Sequence, residues 1–482
     1  MNAAPVARAI WHVWLLWLCA IAILHGSAQE PCFGDETSQP FEPEIVAASD
    51  QAEKAIAGFS LNEQLDVQLF AAEPMLANPI AFCVDSKGRF FVTESFRYGN
   101  NPGATNMQED LACRNVEDRI AMHHRKHGEQ VADYTQKHER VRLLEDTDGD
   151  GKADRSTIFA DGFHSLETGS AAGVLALGNG IILTVIPDLW YLEDTNGDGH
   201  ADLRKSLSNG YGVHAGFRGH DMHGPMLYVD GRLYWTMGDR GLHVETATGV
   251  ISSPDRGAVL RCNRDGTDLE IYHTGLRNPQ DLTYDEYGNL FTGDNNSDGG
   301  DRARIVHVLE GGDSGWNIGF QYMGDKEYLR GPWNAERLWH LPFQNQAAWI
   351  VPPIAHLGNG PAGVDFYPGT GLGDRYGGYM FMCDYNGSPA GTGVYAFKLQ
   401  PRGGSFETVD THKFLWGLSC SDVTFGHDGL YVSDWAASWN SANKGRLYRV
   451  YDPDPVAEKL AKATKELLFA GMEHRSNEEL AD

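Results

Sequence analysis

Asp230-Gly231-Arg232-Leu233-Tyr234-Trp235 reads as a tight turn followed by a strand. The glycine supplies the left-handed backbone that a short turn needs, and the large residues after it suit a pleated ribbon. The same unit stands at Asp85-Ser86-Lys87-Gly88-Arg89-Phe90-Phe91-Val92 and at Gly178-Asn179-Gly180-Ile181-Ile182-Leu183. It returns at Tyr287-Gly288-Asn289-Leu290-Phe291, at Tyr376-Gly377-Gly378-Tyr379-Met380-Phe381 and at Asp428-Gly429-Leu430-Tyr431-Val432. The turn glycines at 88, 180, 231, 288, 377 and 429 are thus 92, 51, 57, 89 and 52 residues apart. A four-stranded propeller blade takes roughly 40–50 residues. Three gaps therefore hold one blade each, and two hold a blade plus an insertion. Six copies predict an all-β, six-bladed β-propeller over residues 65–452. A pair of β-sandwiches is the plainer alternative, but it does not explain the regular spacing. The insertions run from Gly99 to Arg140 and from about Gly324 to Gly360.

Outside the ring the pattern changes. Arg8, the apolar run Trp11 to Leu24 and the small residues Gly26-Ser27-Ala28 predict a cleaved export signal over residues 1–28. The expected location is the periplasm or cell envelope. Residues 29–64 read as an acidic, Pro-containing linker, with a brief helical pattern from Ile45 to Ala57. Residues 453–482 read as a short helical C-terminal extension carrying Leu460, Leu467, Leu468 and Met472 between Lys and Glu. The 482-residue chain has a net charge of −27, which argues against nucleic acid or an anionic membrane as partner. Cys32, Cys83, Cys113, Cys262, Cys383 and Cys420 would remain after cleavage. With no CxxC among them, a zinc site or haem attachment is not indicated. Disulfides and buried thiols both stay open.

The chemistry concentrates at Gly219-His220-Asp221-Met222-His223-Gly224, which leads into a strand, and at Gly238-Asp239-Arg240-Gly241 just past the next one. Gly275-Leu276-Arg277-Asn278-Pro279-Gln280-Asp281 adds an arginine and an asparagine at a turn. A histidine, an acid and an arginine converging on one cavity would suit proton abstraction from a polar substrate. Two further loops carry hard oxygen donors at alternating positions with a glycine at the sharp bend, the pattern of a Ca²⁺ loop. They are Asp146, Asp148, Asp150 and Asp154 in one, and Asp194, Asn196, Asp198 and Asp202 in the other. Thr157 and Lys205 stand where a helix–loop–helix site has its glutamate, so hairpin loops with a structural Ca²⁺ are expected. His123, His124 and His127 read as part of a solvated basic insertion. The tryptophans at 316, 333, 339, 349, 435 and 439 line either a sugar-binding bowl or blade interfaces, with packing expected for most.

These residues carry a resemblance. The segment from about Leu65 to Tyr451 resembles the soluble quinoprotein glucose/sorbosone dehydrogenase superfamily, six-bladed propellers that use pyrroloquinoline quinone. The resemblance implies that His220, ten residues before Asp230-Gly231, is the base on a sugar hydroxyl. It implies that Asp239 touches substrate and that Arg277 and Asn278 bind the cofactor. Ala72-Glu73-Pro74, Asn295-Asn296-Ser297-Asp298-Gly299-Gly300-Asp301, Gly311-Gly312-Asp313-Ser314-Gly315-Trp316 and Gly445-Arg446-Leu447-Tyr448-Arg449-Val450 are similar to the N-terminal propeller of membrane-bound dehydrogenases of planctomycetes and verrucomicrobia.

There are departures. The superfamily's two quinone-holding arginines are matched by Ser419-Cys420-Ser421, and its lysine has no counterpart near Asp384-Tyr385-Asn386. Asp294-Asn295 stands in place of the Gly-Pro that holds its active-site Ca²⁺, and Met222-His223 in place of paired glycines. The expected function is oxidation of a sugar or sugar alcohol with hydride transfer to a quinone-type acceptor. A separate electron acceptor such as a cytochrome would follow. The alternative is a non-catalytic propeller that binds glycan or a protein partner.

Overall fold

The computed structural model describes residues 41–477 apart from 62–63, 100–101, 103–105, 217–218, 325–328, 342, 344–345 and 473–474. The expected signal over 1–28, Cys19 and Cys32 lie outside the described residues. The fold is a six-bladed β-propeller with few helices, one of them C-terminal.

Blade 1 is Pro79–Val84, Phe90–Glu94, Glu139–Glu145 and Arg155–Phe163, and blade 2 is Ala171–Leu177, Gly180–Val185, Asp188–Glu193 and Leu203–Asn209. Blade 3 is Met222–Leu227, Leu233–Met237, Gly257–Cys262 and Glu270–Leu276, with the hairpin Leu242–Thr246/Gly249–Ser253 thrown out between its second and third strands. Blade 5 is Pro361–Phe366, Tyr379–Asp384, Gly393–Arg402 and Ser405–Trp416. Each turn glycine of the sequence repeat sits between the first and second strands of its blade, or opens the second.

Blade 4 departs from four strands. It has Thr283–Tyr284, Leu290–Asp294 and Arg304–Val308. The chain then turns back at Gly311 (φ +72), and Gly312–Asp313 pairs in parallel with the outer strand of blade 3 instead. Blade 6 is Cys420–Phe425, Leu430–Asp434 and Arg446–Tyr451, completed by Asp66–Ala72 from the other end of the propeller segment. The register runs from Asp66 opposite Tyr451 to Ala72 opposite Arg446, so backbone hydrogen bonds close the ring.

Alternation along the second strands explains their near-continuous hydrophobicity. Successive side chains point to opposite faces, and in a ring both faces meet a neighbouring blade. Phe91 joins the apolar cluster between blades 1 and 2, while Phe90 and Val92 join the cluster between blades 6 and 1. Ile181 and Leu183 face blade 1, and Ile182 faces blade 3. Six such clusters occupy the six interfaces. Each fully buried Phe, Leu or Ile contributes roughly 1.5–3 kcal/mol.

Two sets of acids fix the ring around its axis. The first closes second strands. Glu94 accepts from Ala77 N at 2.7 Å and from Arg140 and Arg142. Asp294 accepts from Arg277 N and Asn278 N, Asp384 from Asn359 N and Gly360 N, and Asp434 from Ser419 N. The second set lies on the innermost strands and reaches one blade onward. Asp281 accepts from Val364 N at 3.0 Å, Asp365 from Phe425 N at 2.9 Å and Asp422 from Phe82 N at 2.8 Å. Burial pushes all three carboxyls up, Asp365 to about 6.

The first insertion forms helices Met107–Ala112 and Val116–His127, capped by the Asn106 and Asn115 side chains. Asp110 seats them on the blade 3 approach by accepting from Ala215 N at 2.7 Å and from Tyr322 Oη at 3.3 Å. The reading of this insertion as solvated is corrected for the inward face of its second helix. His124 is exposed, but Met122 and His123 are buried, because the helix packs onto Val213 and Ala215. The C-terminal helix Pro455–Ala470 starts at Asp454, which accepts from Val456 N, and buries only Ala461. Among the described residues Cys83, Cys113, Cys262, Cys383 and Cys420 are buried free thiols, and no helix is long and apolar enough to cross a membrane.

Candidate active site

The innermost strands of the blades begin around one end of the axis, and there they enclose a cavity of about 270 Å³. His220 stands in its wall, in the turn before the first strand of blade 3. Asp239 comes from beyond the second strand of the same blade. The approach depends on Gly238, where a Cβ would fall 2.5 Å from the His220 carbonyl oxygen. Gly238 N also donates to Asp221 O at 2.9 Å, and Asp239 N to Arg277 O at 2.7 Å. The blade 3 loop is thereby tied to the entry of blade 4.

His220 Nδ1 meets Asp239 Oδ1 at 2.7 Å. The other oxygen of Asp239 accepts from Trp316 Nε1 at 2.8 Å. Asp239 is wholly buried. Burial alone would raise its carboxyl, but His220, with Arg277 and the Trp316 indole, outweighs this and holds it below the usual range. A carboxylate on Nδ1 orients the imidazole and stabilises its protonated form, leaving Nε2 to exchange the proton. Asp239 is therefore a positioning residue for His220. Trp316 positions Asp239 in turn; the Gly311-Gly312-Asp313-Ser314-Gly315-Trp316 stretch contained it in the sequence, but its role was not legible there.

Asp221 forms a buried ion pair with Arg240 and accepts from Ser170 N at 2.8 Å. His223 is fixed between the carbonyl oxygens of Ala172 and Gly219, and burial lowers its pKa. Tyr98, Tyr385, Trp435 and Trp439 form an aromatic wall of the cavity. Tyr98 packs on Trp435 and Tyr385 on Trp439, with ring centroids 5.7 and 4.9 Å apart. Polar groups of Arg277, Asn278, Gln280, Asn295 and Asp298 also line the cavity. Trp316 and Trp333 are core residues, whereas Trp349 and Trp439 are exposed.

The residues expected at a cofactor have partners of their own. Arg277 donates through Nε to Gln321, through Nη1 to Asn296 O at 2.6 Å and through Nη2 to Asp298 at 2.5 Å. Asn278 Oδ1 is buried in the cavity wall without a hydrogen-bond partner among the described residues. Pyrroloquinoline quinone carries three carboxylates, and burying them unpaired is costly. Arg277 is the only arginine or lysine among the described lining residues. Ser421 lines the cavity where the clamp of the resembled superfamily would stand. Arg240 and Arg446 are paired with Asp221 and with Glu73 and Asp434. The described lining does not fit that quinone.

The two acidic loops are turns between the third and fourth strands of blades 1 and 2. Asp146, Asp148 and Asp150 each place an oxygen within 4.8 Å of the others. Asp154 is turned instead onto Thr147, accepting from its hydroxyl at 2.6 Å. In the second loop Asp194 accepts from Gly197 N and Gly199 N, Asn196 Oδ1 from Asp198 N, and Asp198 from His200 N. Asp202 accepts from Thr195 and Asn196.

A β-propeller with a histidine–carboxylate pair in the wall of an axial cavity is the class that fold and site define. A family model described as "Domain of unknown function (DUF7133)" matches residues 51–437, and the chain belongs to that family. No curated protein matches the chain. Among solved structures it is similar to a glucose dehydrogenase at 14% identity and a TM-score of 0.50, covering 80% of this chain and 98% of that one. It is also similar to an oxidoreductase (glucose dehydrogenase) from Thermus thermophilus, at 16% identity and a TM-score of 0.49, over 80% of this chain and 99% of that one. A third is the PQQ-bound aldose sugar dehydrogenase from Streptomyces coelicolor, at 14% identity and a TM-score of 0.44, over 81% and 100%. The likeness is one of fold.

Proposed function

We propose that the propeller binds a sugar or sugar alcohol in the axial cavity and acts on it as a dehydrogenase-like enzyme. His220 Nε2 takes the proton of a substrate hydroxyl, and the hydrogen on the same carbon leaves with its electron pair for a two-electron acceptor. The carbon–oxygen single bond becomes a carbonyl, so two electrons and two hydrogens are accounted for. The observation that carries this reading is the 2.7 Å contact between His220 and the buried Asp239 in the cavity wall. The aromatic wall beside hydrogen-bonding groups suits the apolar and hydroxylated faces of a sugar. Since the described lining lacks a carboxylate clamp, the acceptor is one that binds without it. A separate protein acceptor such as a cytochrome and an exported location in the cell envelope belong to this proposal, as does kinship with the membrane-bound dehydrogenases.

The occupied Arg277 guanidinium favours a second reading, a non-catalytic propeller that binds glycan on the same cavity. Dye reduction separates the two. The purified protein is given a panel of sugars, with and without pyrroloquinoline quinone and Ca²⁺. The enzyme reading expects sugar-dependent reduction that His220→Ala removes while sugar binding by calorimetry persists. Sugar binding with no reduction under any condition establishes the second reading instead.

A further inference from the structure

The inward face of helix Val116–His127 carries Arg119, His123, Lys126 and His127, at successive helical spacings of four, three and one. Arg119 and His123 are 2% and 0% exposed. Arg119 Nη2 donates to Glu167 O, but its Nε is buried without a hydrogen-bond partner. Both ring nitrogens of His123 are buried without a hydrogen-bond partner among the described residues, as are His127 Nε2 and Lys126 Nζ. Lys126 has only Glu109 as ion-pair neighbour, at 4.0 Å, the outer limit of such a contact. The His123 and His127 rings lie 6.0 Å apart, so the two orphaned imidazoles share one locality.

Leaving several buried polar groups of this strength unpaired is costly, and here they cluster. Asp221, Glu167 and Asp110 act on Arg119, but the charges that act on His123 are all cationic. Arg119 and Arg240 both act on His123, and after burial they are the main reason its pKa is pushed down to about 3. Burial, then Arg240, pushes Arg119 down to about 9. The two buried acids that act on Arg119 are already engaged, Asp221 by Arg240 and Ser170 N and Asp110 by Ala215 N and Tyr322 Oη. Two imidazoles on one helical face would suit a divalent metal in other surroundings. Flanking arginines and a lysine repel a cation and attract an anion.

We propose that this helix face is a binding site for an oxyanion, held by Arg119, Lys126 and the imidazole edges of His123 and His127. The same chemistry is offered by a free inorganic oxyanion and by the carboxylate of a sugar acid. The site is independent of the base assigned to His220 and is tested without turnover.

The experiment measures melting temperature of the full chain in inorganic phosphate, in gluconate and in glucose, each against sodium chloride of equal ionic strength. A saturable rise of roughly 3 °C with phosphate identifies a free ion as the source, and the same rise with gluconate alone identifies a ligand carboxylate. Arg119→Gln should abolish the rise. Because Arg119 is buried and its loss can unfold the protein, Lys126→Met, at a side chain 13% exposed, serves as the second variant and should weaken binding about tenfold by calorimetry. No rise above chloride with either anion overturns the proposal. So does an anion effect of unchanged size in a folded Arg119→Gln protein.

Discussion

Asp365→Asn should destabilise the protein by an amount that depends on pH. Asp365 lies on the innermost strand of blade 5, beside the narrow axial channel below the cavity. One oxygen accepts from Phe366 N at 2.8 Å and the other from Phe425 N at 2.9 Å, so it joins blade 5 to blade 6. No Lys or Arg lines that channel among the described residues, and burial raises the carboxyl from its ordinary 3.8 to about 6. The folded state thus holds its proton more tightly than the unfolded chain does. Its contribution to stability is fully present below about pH 4 and is lost as pH rises through 6. Moving a carboxyl from 3.8 to about 6 corresponds to about 3 kcal/mol. Since the unfolded group is half ionised near pH 4, about 2 kcal/mol of this falls between pH 4 and pH 8. An asparagine does not titrate, but it presents an NH₂ group to one of the two backbone donors, at a cost of about 1–3 kcal/mol. At pH 4 the variant should therefore be the less stable protein, and at pH 8 the two should be nearly equal. Urea unfolding of both proteins at pH 4, 6 and 8 reads the difference. A difference constant across that range refutes the argument, and would mean that channel water solvates Asp365 as well as the unfolded chain does, leaving its carboxyl unshifted.

Glu94→Ala should destabilise the fold by about 3–5 kcal/mol in the same assay, because it strands Arg140 and Arg142 in the interior beside an unpaired Ala77 N. Trp439→Ala removes an exposed part of the aromatic wall and should weaken sugar binding roughly 3–10-fold by calorimetry, with unchanged melting temperature. Ca²⁺ should raise the melting temperature, and Asp148→Asn should reduce the rise, since Asp148 is one of three converging acids in the blade 1 loop. A rise of equal size in the variant would locate the ion elsewhere.

Blade number was legible because each blade repeats one local device, a glycine turn before a strand buried on both faces. The resemblance marked His220 and Asp239 as site residues, with Asp239 expected on substrate; their pairing was not legible, since nothing local fixes two side chains nineteen residues apart. What stayed hidden depends on neighbours distant in sequence. Asp281, Asp365 and Asp422 look like ordinary strand-edge acids until the ring brings another blade's N–H to each. Glu94, Asp294, Asp384 and Asp434 did leave a signal. Each ends the apolar strand that follows a repeat glycine, in four of the six blades, two or three residues beyond the quoted copy. The three-stranded blade 4 was illegible because Gly312–Asp313 is too short to show a strand pattern. Arg277 shows the limit of carrying a role across a resemblance: the residue is in place, and its guanidinium is engaged by Asp298, Asn296 and Gln321.

The joining of Asp66–Ala72 to Arg446–Tyr451 has a consequence for biosynthesis. Arg446 stands 374 positions beyond Ala72 in the chain. At about 5–20 residues per second, the first strand leaves the ribosome roughly 20–75 s before its partner exists. Throughout that interval Val67, Leu69 and Phe70 belong to a β-edge with no mate in its own chain, open to the edge of another nascent copy. Whatever the ring does once closed, its safe arrival depends on that waiting strand being shielded until the last blade is made.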